Sequence, residues 1–198
     1  VTAARADFDL AQTGRGPDLL LLHSLLTDRT VFDPIVPRLA RSRRVTALNL
    51  PGFGASTPAG PRIEDFADRV AELFTALPLA AGADVVGMSF GGFVATALAA
   101  RHGARIRRLA LVDTAAAFPE EARVPLRGMA ERALATGMDA VVDTAVRRMF
   151  TDAFIAARPD VIERQAAVLR RARPEAFATA CRALADLDLR PVLAAIAN

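Results

Sequence analysis

Ser89 sits at the centre of Gly-Met-Ser-Phe-Gly, residues 87–91. A serine hydroxyl is a weak nucleophile until a base takes its proton. The pattern G-x-S-x-G marks a sharp strand-to-helix turn that holds such a serine in a strained conformation with its Oγ exposed. Bulk at Gly87 or Gly91 would strike the flanking strand and helix. Here the motif follows an apolar run and precedes the Ala-rich helical pattern "FGGFVATALAARHG", the context it requires. The plainer alternative is a structural turn whose serine caps the helix. Acyl transfer also needs two N–H donors aimed where negative charge develops. The Phe90 amide is the first candidate. The second is expected from the loop "HSLLTD", at Leu25 rather than Ser24.

The base is harder to place, because the chain has 2 histidines. His102 lies on the helix that starts at Ser89, and a rise of about 1.5 Å per residue puts it roughly 20 Å away. It reads as a helix-end residue. His23 belongs to the oxyanion loop itself. Neither is expected to take the serine's proton.

Composition narrows the field. The 198 residues suffice for one domain with a sizeable core. All 25 cations are arginine, yet 22 acids leave a formal net charge of +3, and no tyrosine or tryptophan is present to stack on bases. These arginines, Arg170, Arg171 and Arg173 among them, read as solvated surface rather than a nucleic-acid site. No apolar run approaches the roughly 20 residues that span a bilayer, and no signal-like segment opens the chain. The lone Cys181 excludes an intrachain disulfide. A cytoplasmic protein without membrane or nucleic-acid partners is expected. Cys181 and two separated histidines offer no zinc-like spacing, so no metal or organic cofactor is expected either.

Four apolar runs, "PDLLLLHS", "RRVTALNL", "ADVVGM" and "IRRLALVD", read as strands. Helical patterns separate them: "TVFDPIVPRLARS", with Pro34 near its first turn, "IEDFADRVAELFTAL", stopped by Pro78, and the Ser89 helix, with Gly103 as its C′ residue. That alternation predicts a parallel sheet with crossover helices. After Asp113 four further helical patterns follow without a strand, as in a helical cap over an α/β core.

The segments "LLLLHSLLTD", "LNLPGFGAST", "VVGMSFGG" and "LALVDTAA" together resemble the α/β-hydrolase superfamily over most of the chain. Within it, "HSLLTDRTVFDPIVPRL", "RGMAERALATGMDAVVDTAVRRMF" and "FATACRALADLDLRPVLAAI" are most similar to the 3-oxoadipate enol-lactonases and related esterases. The resemblance implies an α/β-hydrolase fold, a mainly parallel sheet with crossover helices plus a helical cap. Residues 1–115 would form the N-terminal part of the core, 116–187 the cap, and 188–198 a return towards the core. Ser89 would be the nucleophile, Leu25 and Phe90 the oxyanion donors, and His23 a residue that orders the loop. The superfamily order of serine, acid, histidine places the acid and the base histidine after the cap. Both, with the C-terminal strands, are then expected to be missing from this chain. Asp113 is the alternative acid, though it reads more simply as a loop or hinge residue.

The implied activity is that of a serine hydrolase acting through an acyl-enzyme on a small-molecule carboxylic ester or lactone. 3-Oxoadipate enol-lactone is the narrowest expectation. A C–C bond hydrolase, a perhydrolase-like esterase and a catalytically silent ligand-binding member are the alternatives. A second chain or segment is expected to complete the sheet beside "LALVD". Four residues depart from the family pattern: Asn49 stands where Asp is common, Phe32 and Met149 where Trp is common, and Asp113 where the lactonases have Asn. All four are expected to line or border the pocket. For an acidic substrate, Arg127, Arg132, Arg147 and Arg148 of the cap are the candidate carboxylate partners.

Overall fold

The computed structural model describes residues 7–77, 79 and 82–197. Five strands form one sheet: β1 (Leu10–Thr13), β2 (Asp18–Leu22), β3 (Arg44–Leu48), β4 (Ala83–Met88) and β5 (Ile106–Val112). Their order is β1-β3-β2-β4-β5, with β1 antiparallel to β3 and every other pair parallel. All five residues of β2 are buried. Its side chains alternate between two apolar layers, Leu20 and Leu22 in the main core, Leu19 and Leu21 in a smaller cluster beneath the sheet. That is the demand on a parallel strand covered on both faces, and it explains an apolar run without polar alternation.

The first expected helix is broken. Pro34 stands between its two pieces, a 3-10 turn, Arg29–Phe32, and the four-residue α1, Val36–Leu39, which has Pro37 in its first turn. Helix α2 (Ile63–Ala76) packs on α3 (Phe90–His102) over the main core. Pro78, expected to stop α2, lies outside the described residues; the helix ends with Leu77 as an extended C-cap. Helix α3 is buried at every position from Phe90 to Ala99, as a helix apolar on all sides must be. Gly103 is not the left-handed C′ residue expected: its φ is −53° and the chain runs on into a 3-10 turn.

Charge collects at the N-terminal ends of the strands. Asp18 accepts two hydrogen bonds from Arg44, at 2.6 and 2.8 Å, and Asp84 bridges Arg43 and Arg107. The opposite, C-terminal ends carry the loops, where α/β sheets bind ligands.

Beyond β5 come α4 (Glu120–Thr136), α5 (Asp139–Met149), α6 (Asp152–Ala157), α7 (Pro159–Arg170) and α8 (Pro174–Asp186). The four expected helices are present, and α6 is an addition. Their apolar stripes, with Met129, Val141, Leu169 and Phe177, join the core built on the sheet. Departure and return of this helical segment are clamped together by a bridge between Ala117 and Asp188 and by Leu189 N–H donating to Ala116 O at 2.7 Å. Among the described residues, no helix is long and apolar enough to cross a membrane.

Candidate active site

Ser89 joins β4 to α3 with φ 48° and ψ −113°. A non-glycine residue at positive φ costs on the order of 1–3 kcal/mol and persists only where its surroundings dictate it. Both neighbouring strands do so. Ser89 N–H donates to Val112 O of β5 at 2.9 Å, and Gly91 N–H donates to His23 O, just past β2, at 2.9 Å. A Cβ on Gly91 would lie 2.2 Å from Leu22 O, and one on Gly87 would lie 2.4 Å from Gly91 O. Glycine at both positions is therefore a steric requirement, as the motif implies.

Three loops meet at this corner through a chain of rings. His23 packs edge-on to Phe53 at 5.0 Å, Phe53 lies 6.1 Å from Phe90, and Phe90 is 5.1 Å from Phe66. The ring of Phe90 thus anchors the elbow from below while its amide opens α3. Neither the Phe90 nor the Leu25 N–H has a hydrogen-bond partner among the described residues, although both residues are buried. Buried N–H groups are nearly always paired. Of these two unpaired N–H groups, one follows Ser89 directly in the chain and the other lies in the loop after β2.

His23 is fully buried and both ring nitrogens are occupied. Nδ1–H donates to Ser24 O at 2.8 Å, and Nε2 accepts Leu50 N–H at 3.0 Å. Burial lowers its pKa from the ordinary 6.5 to about 4, against smaller opposing effects of the Ser24 carbonyl and Asp28. The ring is a neutral brace between two loops and has no free nitrogen for a proton from Ser89. His102, at the far end of α3, contacts Asp68 at 2.7 Å. Asp113 is exposed at the end of β5 with φ 52°, and neither histidine contacts it.

The four departures have structural accounts, and the expectation that all line the pocket is corrected. Phe32 packs beneath the sheet with Leu19, Leu21, Val45 and Ala47. Met149 packs, partly buried, against the main core. Asn49 is buried in a network: its Oδ1 accepts Arg29 N–H at 2.8 Å, and its Nδ2 donates to Asp9 at 2.8 Å. Asp9 in turn accepts from Ala55 N–H and Arg29 Nε. Burial raises the Asp9 pKa, but these hydrogen bonds outweigh it and hold the carboxyl below its usual range. The carboxylate that this turn uses comes from Asp9, so position 49 must supply a donor.

The four arginines named above are paired with acids or exposed. Arg127 is tied to Glu120 and Asp186, Arg147 to Asp143 and Asp152, and Arg132 and Arg148 lie on exposed faces. Arg171, itself paired with Asp28 at 3.7 Å, borders a cavity of about 250 Å³ that Leu25, Phe53 and Leu169 also line. No local signal distinguished Arg171 from its neighbours in sequence.

A family model described as "alpha/beta hydrolase fold" matches residues 17–153. The chain is 34% identical over 184 residues to a pimeloyl-[acyl-carrier protein] methyl ester esterase of Chromobacterium violaceum, covering 89% of this chain and 70% of that protein. It is 30% identical over 179 residues to 3-oxoadipate enol-lactonase 2 of Acinetobacter baylyi, covering 89% and 66%. The solved enol-lactonase from Burkholderia xenovorans LB400 superposes with a TM-score of 0.87 at 34% identity, over 96% of this chain and 74% of that one.

Proposed function

The chain belongs to the α/β-hydrolase family, and from that premise we propose that it carries the nucleophile half of a serine hydrolase for carboxylic esters or lactones. Ser89 Oγ attacks the carbonyl carbon and passes its proton to a histidine. The Phe90 and Leu25 N–H groups hold the tetrahedral oxyanion. On collapse the C–O bond breaks and the histidine returns its proton to the leaving oxygen, which departs as the alcohol of an ester or stays tethered as the enol of a lactone; water then hydrolyses the acyl-enzyme to the acid. One observation carries this reading: a serine at φ 48° in a turn held by the Val112 and His23 carbonyls, with the N–H groups of Phe90 and Leu25 unpaired among the described residues.

Because His23 and His102 are both committed elsewhere, the base histidine is supplied from outside the described residues. We place it, with the acid, on strands that pair with the open edge of β5. Methyl esters and enol-lactones are both represented among the relatives, and 3-oxoadipate enol-lactone is the narrower substrate we propose. Arg171, which lines one cavity with Leu25 and pairs with Asp28 at its rim, is the cation we propose to meet a substrate carboxylate. In the protein at its natural length, Ser89→Ala is expected to reduce p-nitrophenyl ester hydrolysis by several orders of magnitude with circular dichroism unchanged. Undiminished hydrolysis would overturn the assignment. Residues 1–198 alone are expected to give no hydrolysis above that alanine control.

A further inference from the structure

Resting on the reading of Ser89 as nucleophile, we propose that Thr27 is a positioning residue of the oxyanion hole: its hydroxyl locks both peptides that meet at Ser24 and so aims the Leu25 N–H. Those two peptides carry four polar atoms, and the protein pairs three of them. His23 O accepts Gly91 N–H at 2.9 Å. Ser24 N–H donates to Thr27 Oγ1 at 3.1 Å. Ser24 O accepts from the His23 ring at 2.8 Å, and from the Thr27 N–H and the Thr27 hydroxyl at 3.2 Å each. The fourth atom is the Leu25 N–H, which has no partner among the described residues.

His23 and Gly91 each hold one of these peptides, whereas the Thr27 hydroxyl reaches both. A hydroxyl gives one proton and accepts another, so it can serve the N–H and the C=O of Ser24 at once. Thr27 is buried, which keeps water from replacing either bond. The N–H and C=O of a trans peptide point in opposite directions across a rigid plane. Drawing Ser24 O towards Thr27 and His23 therefore turns the Leu25 N–H away from both. Hydrogen bonds at the carbonyl also polarise that peptide and make its N–H a stronger donor. Both effects are in place before charge develops, as oxyanion stabilisation requires. Without the hydroxyl, Ser24 N–H loses its acceptor and Ser24 O keeps only the His23 ring and the Thr27 N–H. The Leu25 peptide then tilts rather than flips, and its donor is misaimed.

Packing of the Thr27 methyl group and of the buried Leu25 and Leu26 side chains is the competing explanation, and two variants of the natural-length protein separate them. Thr27→Val keeps the shape and removes the hydroxyl; Thr27→Ser keeps the hydroxyl and removes the methyl group. In Thr27→Val, amide exchange at Ser24 is expected to quicken while exchange outside the loop is unchanged. Turnover of a p-nitrophenyl ester should fall roughly 10-fold in kcat, short of the roughly 100-fold or more that follows loss of an oxyanion donor, with KM within about twofold. Affinity for a boronate that forms a tetrahedral adduct on Ser89 should fall by the same factor, and Thr27→Ser should recover most of each loss. Unchanged kcat in Thr27→Val would overturn the proposal, as would a loss confined to KM, exchange that rises throughout the chain, or a Thr27→Ser variant as impaired as Thr27→Val. A wild type without turnover or boronate binding would overturn the hydrolase reading instead, and exchange at Ser24 would still decide the lock.

Discussion

Strands β2 and β5 both flank β4 and run parallel to it, and a carbonyl at the end of each, His23 just past β2 and Val112 in β5, holds the Ser89 turn. Both also read as apolar runs. Yet all of β2 is buried, whereas in β5 only Ile106 is, and Leu111 and Val112 are 43% and 48% exposed. Polar satisfaction differs in the same way. Around His23 the side chains are paired, while Thr114 Oγ1, just past β5, is buried without a hydrogen-bond partner. A continuous apolar strand is written for cover on both faces, so β5 carries the sequence of an inner strand in the position of an edge. The β2 side of the Ser89 turn is covered, and the β5 side leaves apolar surface open.

The largest expected effect tests that contrast directly. Leu21→Lys in β2 puts an unpaired charge among buried side chains and should cost more than about 4 kcal/mol. In residues 1–198, Leu111→Lys in β5 should change stability by about 0.5 kcal/mol or less and should improve solubility. At natural length, with β5 paired as we propose, Leu111→Lys should become nearly as damaging as Leu21→Lys. Urea midpoints for both variants at both lengths decide it, and equal tolerance of Leu111→Lys at both would break the comparison.

On the β2 side, His23 makes stability depend on pH. The folded ring resists protonation until about pH 4, whereas an unfolded histidine protonates near 6.5. Between these values the unfolded chain binds more protons, so the neutral brace contributes fully above 6.5 and is lost as pH falls towards 4. The loss should be on the order of 3 kcal/mol. His23→Gln cannot titrate, and its denaturation midpoint should lack this component of the slope between pH 6.5 and 4. Parallel pH profiles for the two proteins would contradict the brace.

A smaller effect belongs to Asn49. Asn49→Asp replaces the donor facing Asp9 with a second carboxylate, at an expected cost of about 1–3 kcal/mol. Adding Asp9→Asn should recover much of that loss, because the pair then presents one donor and one carboxylate again. Thermal denaturation of the single and double variants measures the coupling.

What could be read from sequence follows from the range of each interaction. The parallel strands and the Ser89 turn were legible because apolar runs and two glycines act within a few residues. Strand β1 was not: "LAQT" is four residues long, half of them polar, and it exists through pairing with β3. Helix α6 spans six residues, too few for a periodic pattern to register. Between Phe32 and Val36, Pro34 interrupts a segment whose apolar spacing is otherwise helical, because a proline is tolerated in a first turn but costs a hydrogen bond inside a longer helix. The Asp9–Asn49 and Gln165–Leu26 contacts join residues 40 and 139 apart, and nothing local marks either partner. Arg171 and the four cap arginines share one residue type, so only the fold tells them apart.

The central claim is that Ser89 is the nucleophile, and the most direct measurement is covalent labelling of the natural-length protein with a fluorophosphonate, followed by peptide mass spectrometry. The expected result is a single phosphonyl adduct on the peptide containing Ser89, lost in Ser89→Ala. An adduct on a different residue, or ester hydrolysis that persists with Ser89 unlabelled, would contradict it.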